Sequence, residues 1–258
     1  MNTRSIGFIG GGRIARIFLS GWAHAQKLPA RIVVADPSAE ALAKLKEQYP
    51  AVETTSDLAA AAAQDVVFLA THPPVLAEAA SRAAAALKPH AILVSLAPKF
   101  TMARLSELLG GFARIARSNP NAPSIIGAGM NPLVFSAALD AADRETVRAL
   151  FSPLGESPEV DEAKIEAYAV FTAMGPTYLW FQLQALRELA VSFGLTETEA
   201  DAGLKRMVCG AACTLVDSGL APADVMDLVP VKPLAEMEPQ VLELYRTRLP
   251  ALFQKIKP

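Results

Sequence analysis

The sequence predicts an α/β protein in which a doubly wound parallel sheet is followed by an all-α domain. Three observations carry this. Short apolar strands alternate with helical patterns through the first 160 residues, as in a parallel sheet with crossover helices. A glycine turn, Gly10-Gly11-Gly12, stands directly between the first strand and the first helix. After residue 160 the alternation stops and long helical patterns take over, so the domains are expected at 1–160 and 161–258.

Each element has its own justification. Ile6, Phe8 and Ile9 form a short buried strand, and Ile14, Ile17 and Phe18 recur at helical spacing behind the glycines. Residues 31–35 are a second apolar strand, closing on Asp36. Asp36-Pro37-Ser38 leads into a helix over 40–48 with Ala41, Leu42 and Leu45 on its inner face, and a short helix covers 58–63. Residues 65–70 are a buried strand, Thr71-His72-Pro73-Pro74 opens a helix to about residue 87, and 91–95 is the next strand. A helix over 102–109 and a strand over 113–116 follow. The two prolines and two asparagines within 117–123 can continue neither a helix nor a central strand, so this is a loop. Further strands are expected at 125–129 and 133–136, and a helix at 143–154. Helices at 162–173, 176–193 and 197–218 then precede a broken final segment. Pro176 suits a first helical turn, and Thr196 with Glu199 makes a capping box.

The glycine turn fits G-x-G-x-x-G/A, with Gly10, Gly12 and Ala15 in the three places, and so marks the sheet as Rossmann-type. Gly10 makes the tight turn, Gly12 lets a pyrophosphate approach the backbone, and Ala15 lets the helix pack close to the sheet. The diphosphate would rest on unpaired N–H groups at the helix start, where the helix dipole favours negative charge. Asp36 ends the second strand at roughly the ~20-residue distance from which a carboxylate holds the adenosine ribose hydroxyls; the alternative is that it caps the next helix. A carboxylate here repels a 2′-phosphate and no arginine follows it directly, so the reading within NAD(P)H leans to NADH. In a doubly wound sheet the C-terminal strand ends carry the ligand, so residues 71–73, 97–99 and 119–123 should gather on one rim beside the glycines.

Composition bounds the rest. A formal net charge of −2 argues against nucleic acid as the main partner, and 258 residues suffice to bury a sizeable core. Cys209 and Cys213, four apart on an expected helix, make neither a disulfide framework nor a zinc site. They are expected as small buried side chains in a reducing cytosol, and no metal is expected. The chain enters a strand at once, so no signal peptide is expected. The most apolar stretch, 165–186, is interrupted by Glu166, Gly175-Pro176, Gln182 and Gln184, and is read as helices buried in a protein interface rather than a membrane span. Tyr178, Trp180 and Phe181 are read as core or subunit-interface anchors.

The motifs, taken in order, resemble those of the pyrroline-5-carboxylate reductase family. Phe8-Ile9-Gly10-Gly11-Gly12-Arg13-Ile14-Ala15 sits on the family's Phe-Ile-Gly-x-Gly-x-Met-Ala/Gly, Ala70-Thr71-His72-Pro73 on its Val-Lys-Pro, and Val94-Ser95-Leu96-Ala97 on its Ser-Ile-Ala-Ala/Gly. Arg117-Ser118-Asn119-Pro120-Asn121-Ala122-Pro123 matches Arg-x-Met-Pro-Asn-Thr-Pro, and Ala173-Met174-Gly175-Pro176-Thr177-Tyr178 matches Gly-Ser-Gly-Pro-Ala-Tyr. The resemblance implies hydride transfer from NAD(P)H to the C=N carbon of a small cyclic imine, as in proline biosynthesis. It also implies a cytoplasmic homodimer whose C-terminal helices interlock. It implies cofactor contacts from Gly10, Gly12, Arg13, Ile14, Asp36, Ala70, Thr71, His72, Pro73 and Ala97. Substrate contacts would come from Asn121, Met174, Gly175 and Thr177, with Lys232, in a loop that departs from the family, as a further candidate. A protonated imine is already electrophilic, so no strong side-chain acid is obligatory and no catalytic residue is assigned.

The sequence also departs from that family. Asp227-Leu228-Val229 is present, but Pro230-Val231-Lys232-Pro233-Leu234-Ala235 replaces the family's Ser-Pro-Gly-Gly-Thr-Thr, and Ala173-Met174 replaces a Gly-Ser. Lys232 either supplies a cation for a substrate carboxylate or is a solvated loop lysine. Asn121 either fixes the nicotinamide side of the cleft or makes an Asx turn beside Pro120. His72 either contacts the cofactor or is a loop histidine without chemistry. Two other oxidoreductase types share the two-domain plan or its first half. A β-hydroxyacid dehydrogenase would need a lysine in the helix after the boundary, and residues 176–195 hold none. A deazaflavin:NADP reductase usually has a different helical domain. A catalytically silent NAD(P)-binding sensor or scaffold would fit the altered loop.

Overall fold

Strands β1 (Ile6–Ile9), β2 (Ile32–Ala35), β3 (Glu53–Thr55), β4 (Val66–Leu69), β5 (Ile92–Ser95) and β6 (Ile115–Ser118) run parallel in a computed structural model that describes residues 4–71 and 73–258. Two short strands, β7 (Gly129–Met130) and β9 (Gly155–Glu156), pair apart from them, while β8 (Leu133–Phe135) lies antiparallel to β6. The main sheet has the order β3-β2-β1-β4-β5-β6-β8. The order reverses direction at β1 and β4, which is the switch point where such sheets bind ligands.

Every residue of β1, β2, β4 and β5 is buried, as expected of strands covered on both faces. Successive residues point to opposite faces. Phe8, Val34 and Phe68 enter one core with Phe18, Leu19 and Trp22 of α1 (Arg13–His24), Leu45 of α2 (Ala39–Gln48) and Phe151 near residue 150. Ile9, Val33 and Val67 enter the other core, with residues of α3 (Leu58–Ala62), α4 (Pro73–Ala84) and α5 (Met102–Leu108). Phe8 stacks on Phe68 with ring centroids 4.8 Å apart. Trp22 is buried beside them and satisfies its indole by donating to the Leu150 carbonyl at 2.7 Å, in α6 (Ala141–Phe151).

Several local expectations are corrected. Residues 125–129 are not a strand. Pro123 starts a 3₁₀ turn, Ala122–Ile126, and Gly127 ends it at φ +71°, leaving only Gly129–Met130 extended. The edge strand β3 was not anticipated, because Glu53-Thr54-Thr55 is too short and polar to show strand alternation. The helix expected over 162–173 is three pieces: a 3₁₀ turn (Glu162–Lys164), α7 (Ile165–Tyr168) and a π turn (Ala169–Ala173).

The chain divides into two compact units, the first running through Met174 and including Leu252–Pro258, the second Gly175–Ala251. Residues 161–174 therefore pack with the sheet, past the change in sequence character at residue 160. The buried ion pairs of Arg117, described below, hold them there. The second unit contains α8 (Pro176–Ser192), α9 (Glu197–Asp217), α10 (Pro222–Asp227) and most of α11 (Glu238–Ile256). The capping box is formed: Thr196 Oγ1 accepts the Glu199 N–H while Glu199 Oε2 accepts the Thr196 N–H at 2.8 Å. Cys209 and Cys213 are exposed, not buried. Of α9 only Ala200 is buried among the described residues, and both thiols lie on its exposed surface. Among the described residues, no helix is long and apolar enough to cross a membrane.

Candidate active site

The chain turns sharply after β1. Gly10 adopts φ +107° and donates its N–H to the Ala35 carbonyl at 2.8 Å. A Cβ at Gly10 would lie 2.8 Å from the Ala70 carbonyl oxygen, so both the conformation and the close approach require glycine. Gly11 donates to Asp36 Oδ2 at 2.8 Å. Gly12 is the N-cap of α1, whose first turn holds no acidic residue, and a Cβ built on Gly12 meets nothing within 4 Å among the described residues. The first amides of α1 thus open onto free space with no side chain of their own to cap them.

That space is a cleft of about 750 Å³ within the first unit. Gly10, Gly12, Arg13 and Ile14 line it from the glycine turn, and Asp36 from the end of β2. Ala70 and Thr71 line it after β4, and Ala97 after β5. Eight of the ten expected cofactor residues therefore meet in one place. His72 and the side chain of Pro73 lie outside the described residues. Thr71 Oγ1 is buried and has no hydrogen-bond partner among the described residues, an orphan that a ligand hydroxyl or phosphate oxygen would satisfy.

Charge is distributed unevenly around the cleft. Arg13 lies on α1, Asp36 just after β2, and Glu78 and Arg82 on α4. Beyond the switch point the described lining is uncharged: Leu96–Pro98 after β5, Asn119, Pro120 and Ala122 after β6, and Ala169, Ala173 and Met174 from the π turn. Of the expected rim, Thr71, Ala97, Pro98, Asn119, Pro120 and Ala122 line the cleft, joined by Met174, whereas Lys99, Asn121 and Pro123 do not.

Asn121 is not among the cleft-lining residues. It is 7% exposed, and both ends of its amide brace the backbone: Oδ1 accepts the Met130 N–H at 3.1 Å and Nδ2 donates to the Thr172 carbonyl at 3.2 Å. Asn119 lines the cleft instead, with Nδ2 donating to the Ile165 carbonyl at 2.8 Å. The second unit carries the other expected substrate residues. Gly175 precedes α8 and accepts the Tyr178 N–H at 2.9 Å; Thr177 is exposed in its first turn, and Lys232 is exposed after α10.

Sequence reasoning gave Arg117 no role of its own. Its side chain is 1% exposed and donates to Glu162 at 2.8 Å and Glu166 at 2.7 Å. Arg117 stands inside β6 beside Ser118 rather than at the start of the expected loop, and a buried guanidinium demands carboxylates nearby.

Comparison with known proteins agrees with this geometry. Residues 5–99 match the family described as NADP oxidoreductase coenzyme F420-dependent. Over the longer span, a pyrroline-5-carboxylate reductase of Pseudomonas aeruginosa is 32% identical across 87% of this chain and 83% of its own. The one from Corynebacterium melassecola is 30% identical across 86% and 83%. The chain belongs to the pyrroline-5-carboxylate reductase family. Its fold is the family's: the Coxiella burnetii pyrroline-5-carboxylate reductase superposes with a TM-score of 0.71 at 29% identity, covering 99% of this chain and 95% of that one. A Plasmodium falciparum pyrroline carboxylate reductase, solved with NADP bound, superposes with a TM-score of 0.76 at 18% identity over 99% and 95%, a likeness of fold.

Proposed function

We propose that this protein is an NAD(P)H-dependent reductase that delivers hydride to the C=N carbon of a small cyclic imine of the pyrroline-carboxylate type. The observation that supports this most is the open start of α1 at Gly12, in a chain of this family. When bound, the nicotinamide supplies the hydride; the chain supplies position and surroundings. The amides of Gly12, Arg13 and Ile14 would hold the diphosphate, Asp36 the adenosine ribose, and the Thr71 hydroxyl a ligand oxygen. The uncharged half, from Leu96 to Met174, would exclude water from the reacting ring.

On this reading the substrate is held by Met174 together with Gly175 and Thr177, and Lys232 supplies a cation to its carboxylate. Asn121 acts through the backbone it braces. His72 and Pro73 would complete the cofactor wall. The working form is a cytoplasmic homodimer joined through α8–α11, whose apolar side chains are largely exposed within one chain.

A mixture of protein, NADH or NADPH, and pyrroline-5-carboxylate tests the activity by the loss of reduced-nicotinamide absorbance. Imine-dependent oxidation is expected. Cofactor binding without turnover on a panel of imines would replace the reductase with a nucleotide-binding sensor. Lys232→Met should raise KM for the carboxylated imine while leaving cofactor affinity unchanged; unchanged turnover and KM would remove Lys232 from the site.

A further inference from the structure

Arg117 lies where the three stretches that line the uncharged half of the cleft are tied together. Its two terminal nitrogens reach Glu162 and Glu166, and each carboxylate carries the connection further. Glu162 Oε1 also accepts the Met102 N–H at 2.7 Å, and Glu166 Oε1 accepts the Lys99 N–H at 3.3 Å. Lys99 sits at φ +76°, an uncommon conformation for a residue with a side chain, and Ala97 and Pro98 just before it line the cleft. On the other side, Asn119 follows Arg117 by two residues and is tied to Ile165, next to Glu166. The helix carrying Glu166 runs into the π turn, closed by Met174 N–H donating to the Ala169 carbonyl at 3.0 Å, and this turn brings Ala169, Ala173 and Met174 to the cleft. Interruptions of this kind recur at functional sites.

We propose that Arg117, acting through Glu166, is a positioning residue for the nicotinamide half of the cofactor. The inference rests on reading the cleft as a nicotinamide-dinucleotide site. Its physical basis is that an apolar wall alone does not say where a flat ring should sit. Leu96, Pro98, Ala173 and Met174 offer contact area but no direction. A planar guanidinium forked between two carboxylates does fix direction, because its donors have one geometry and a buried charge cannot leave its partners cheaply. Through that fork, the loop after β5, the loop after β6 and the π turn keep one mutual arrangement. The adenosine half, built on the glycine turn and Asp36, does not depend on it.

Two probes separate the halves. ADP-ribose fills the diphosphate and adenosine part only, whereas NADH adds the nicotinamide. By calorimetry, the unmodified protein should bind NADH more tightly than ADP-ribose. Glu166→Gln, which keeps shape and removes charge, should weaken NADH by about tenfold and leave ADP-ribose within about twofold. The double variant Arg117→Met with Glu166→Met removes the two buried charges together and leaves Glu162, which is 30% exposed, on the Met102 N–H; it should show the same selective loss. Equal weakening of both probes would make Arg117 a structural tie without a positioning role, and an unchanged NADH to ADP-ribose ratio would overturn the proposal. Binding of neither probe by the unmodified protein would instead remove the cofactor site itself, whatever the imine assay shows.

Discussion

Asp36 accepts the Gly11 N–H at 2.8 Å on one carboxylate oxygen, while its other oxygen accepts the Ser38 N–H at 2.8 Å. The N-cap of α2 is Ser38, not Asp36, which braces the turn leading into it. Asp36 stabilises the entrance to α2, and the same two bonds prevent its charge from swinging away from the cleft that it lines. A fixed carboxylate suits ribose hydroxyls and opposes a 2′-phosphate. Asp36→Asn keeps an acceptor for Gly11 and removes the charge. The ratio of NADPH to NADH affinity should rise by roughly tenfold, about 1.4 kcal/mol, measured by titrating each cofactor. A ratio that stays put would assign Asp36 to the turn alone.

Two glycines of the same strand and turn should respond in opposite ways to an added side chain. A Cβ on Gly12 enters open space, whereas one on Gly7 would lie 1.9 Å from the Ala61 carbonyl oxygen of α3. Gly12→Val should therefore leave the melting temperature near that of the parent and lower cofactor affinity by about a hundredfold or more, because the branched side chain occupies the diphosphate position. Gly7→Ala forces α3 from the sheet and should cost about 3 kcal/mol of stability. Thermal melts with and without NADH separate the two effects.

Asp65 gives the fold an acid-sensitive joint. Its Oδ1 lies 2.7 Å from Lys88 Nζ, and its Oδ2 accepts from both the Ser5 N–H at 2.9 Å and the Ser5 hydroxyl at 2.8 Å. The Lys88 ammonium first, then the Ser5 donors, hold the carboxyl well below its ordinary value of 3.8, against the opposing effect of partial burial. Because the folded form favours the charged state, the joint contributes fully above that ordinary value and is lost as pH falls below it. Asp65→Asn should cost about 1–2 kcal/mol near neutral pH, with the gap to the parent closing in urea melts taken progressively below pH 3.8. A gap independent of pH would mean that shape rather than charge holds β1 to β4.

What was legible in the sequence follows physical range. The strands β1, β2, β4 and β5 are mostly apolar runs, and the glycine turn is written in three adjacent glycines, so both show in a few adjacent residues even though Gly10 also answers to Ala70 across the sheet. Residues 125–129 look like a strand by the same measure, yet Pro123 and Gly127 bend them into a 3₁₀ turn. Arg117 with Glu166 was not readable, since the pair joins positions 49 residues apart and nothing in either neighbourhood names the other. Asn121 shows the converse. Its local setting is informative, but only the fold reveals that Met130 and Thr172 take up its amide.

The second unit argues for a partner. Among the described residues, none of α8 is buried within the chain, although the helix carries Leu179, Trp180, Phe181, Leu186 and Leu189. Phe181 is 69% exposed, and Phe193, just after the helix, is 80% exposed. Apolar area on this scale is rare on a monomer, and a second copy of the same unit would cover it by a self-complementary contact. Light scattering should report at least twice the 27.3 kDa of one chain. Phe181→Glu places a charge in the middle of that surface, where burial without a partner is costly, and should shift the protein to a 27.3 kDa species at micromolar concentration. Cofactor binding then becomes the informative measurement on the dissociated chain. The cleft lies wholly within the first unit, so ADP-ribose should bind the monomer as it binds the parent. A variant that stays at the parent's mass, with Phe181 replaced by glutamate, would show that α8 is not the contact.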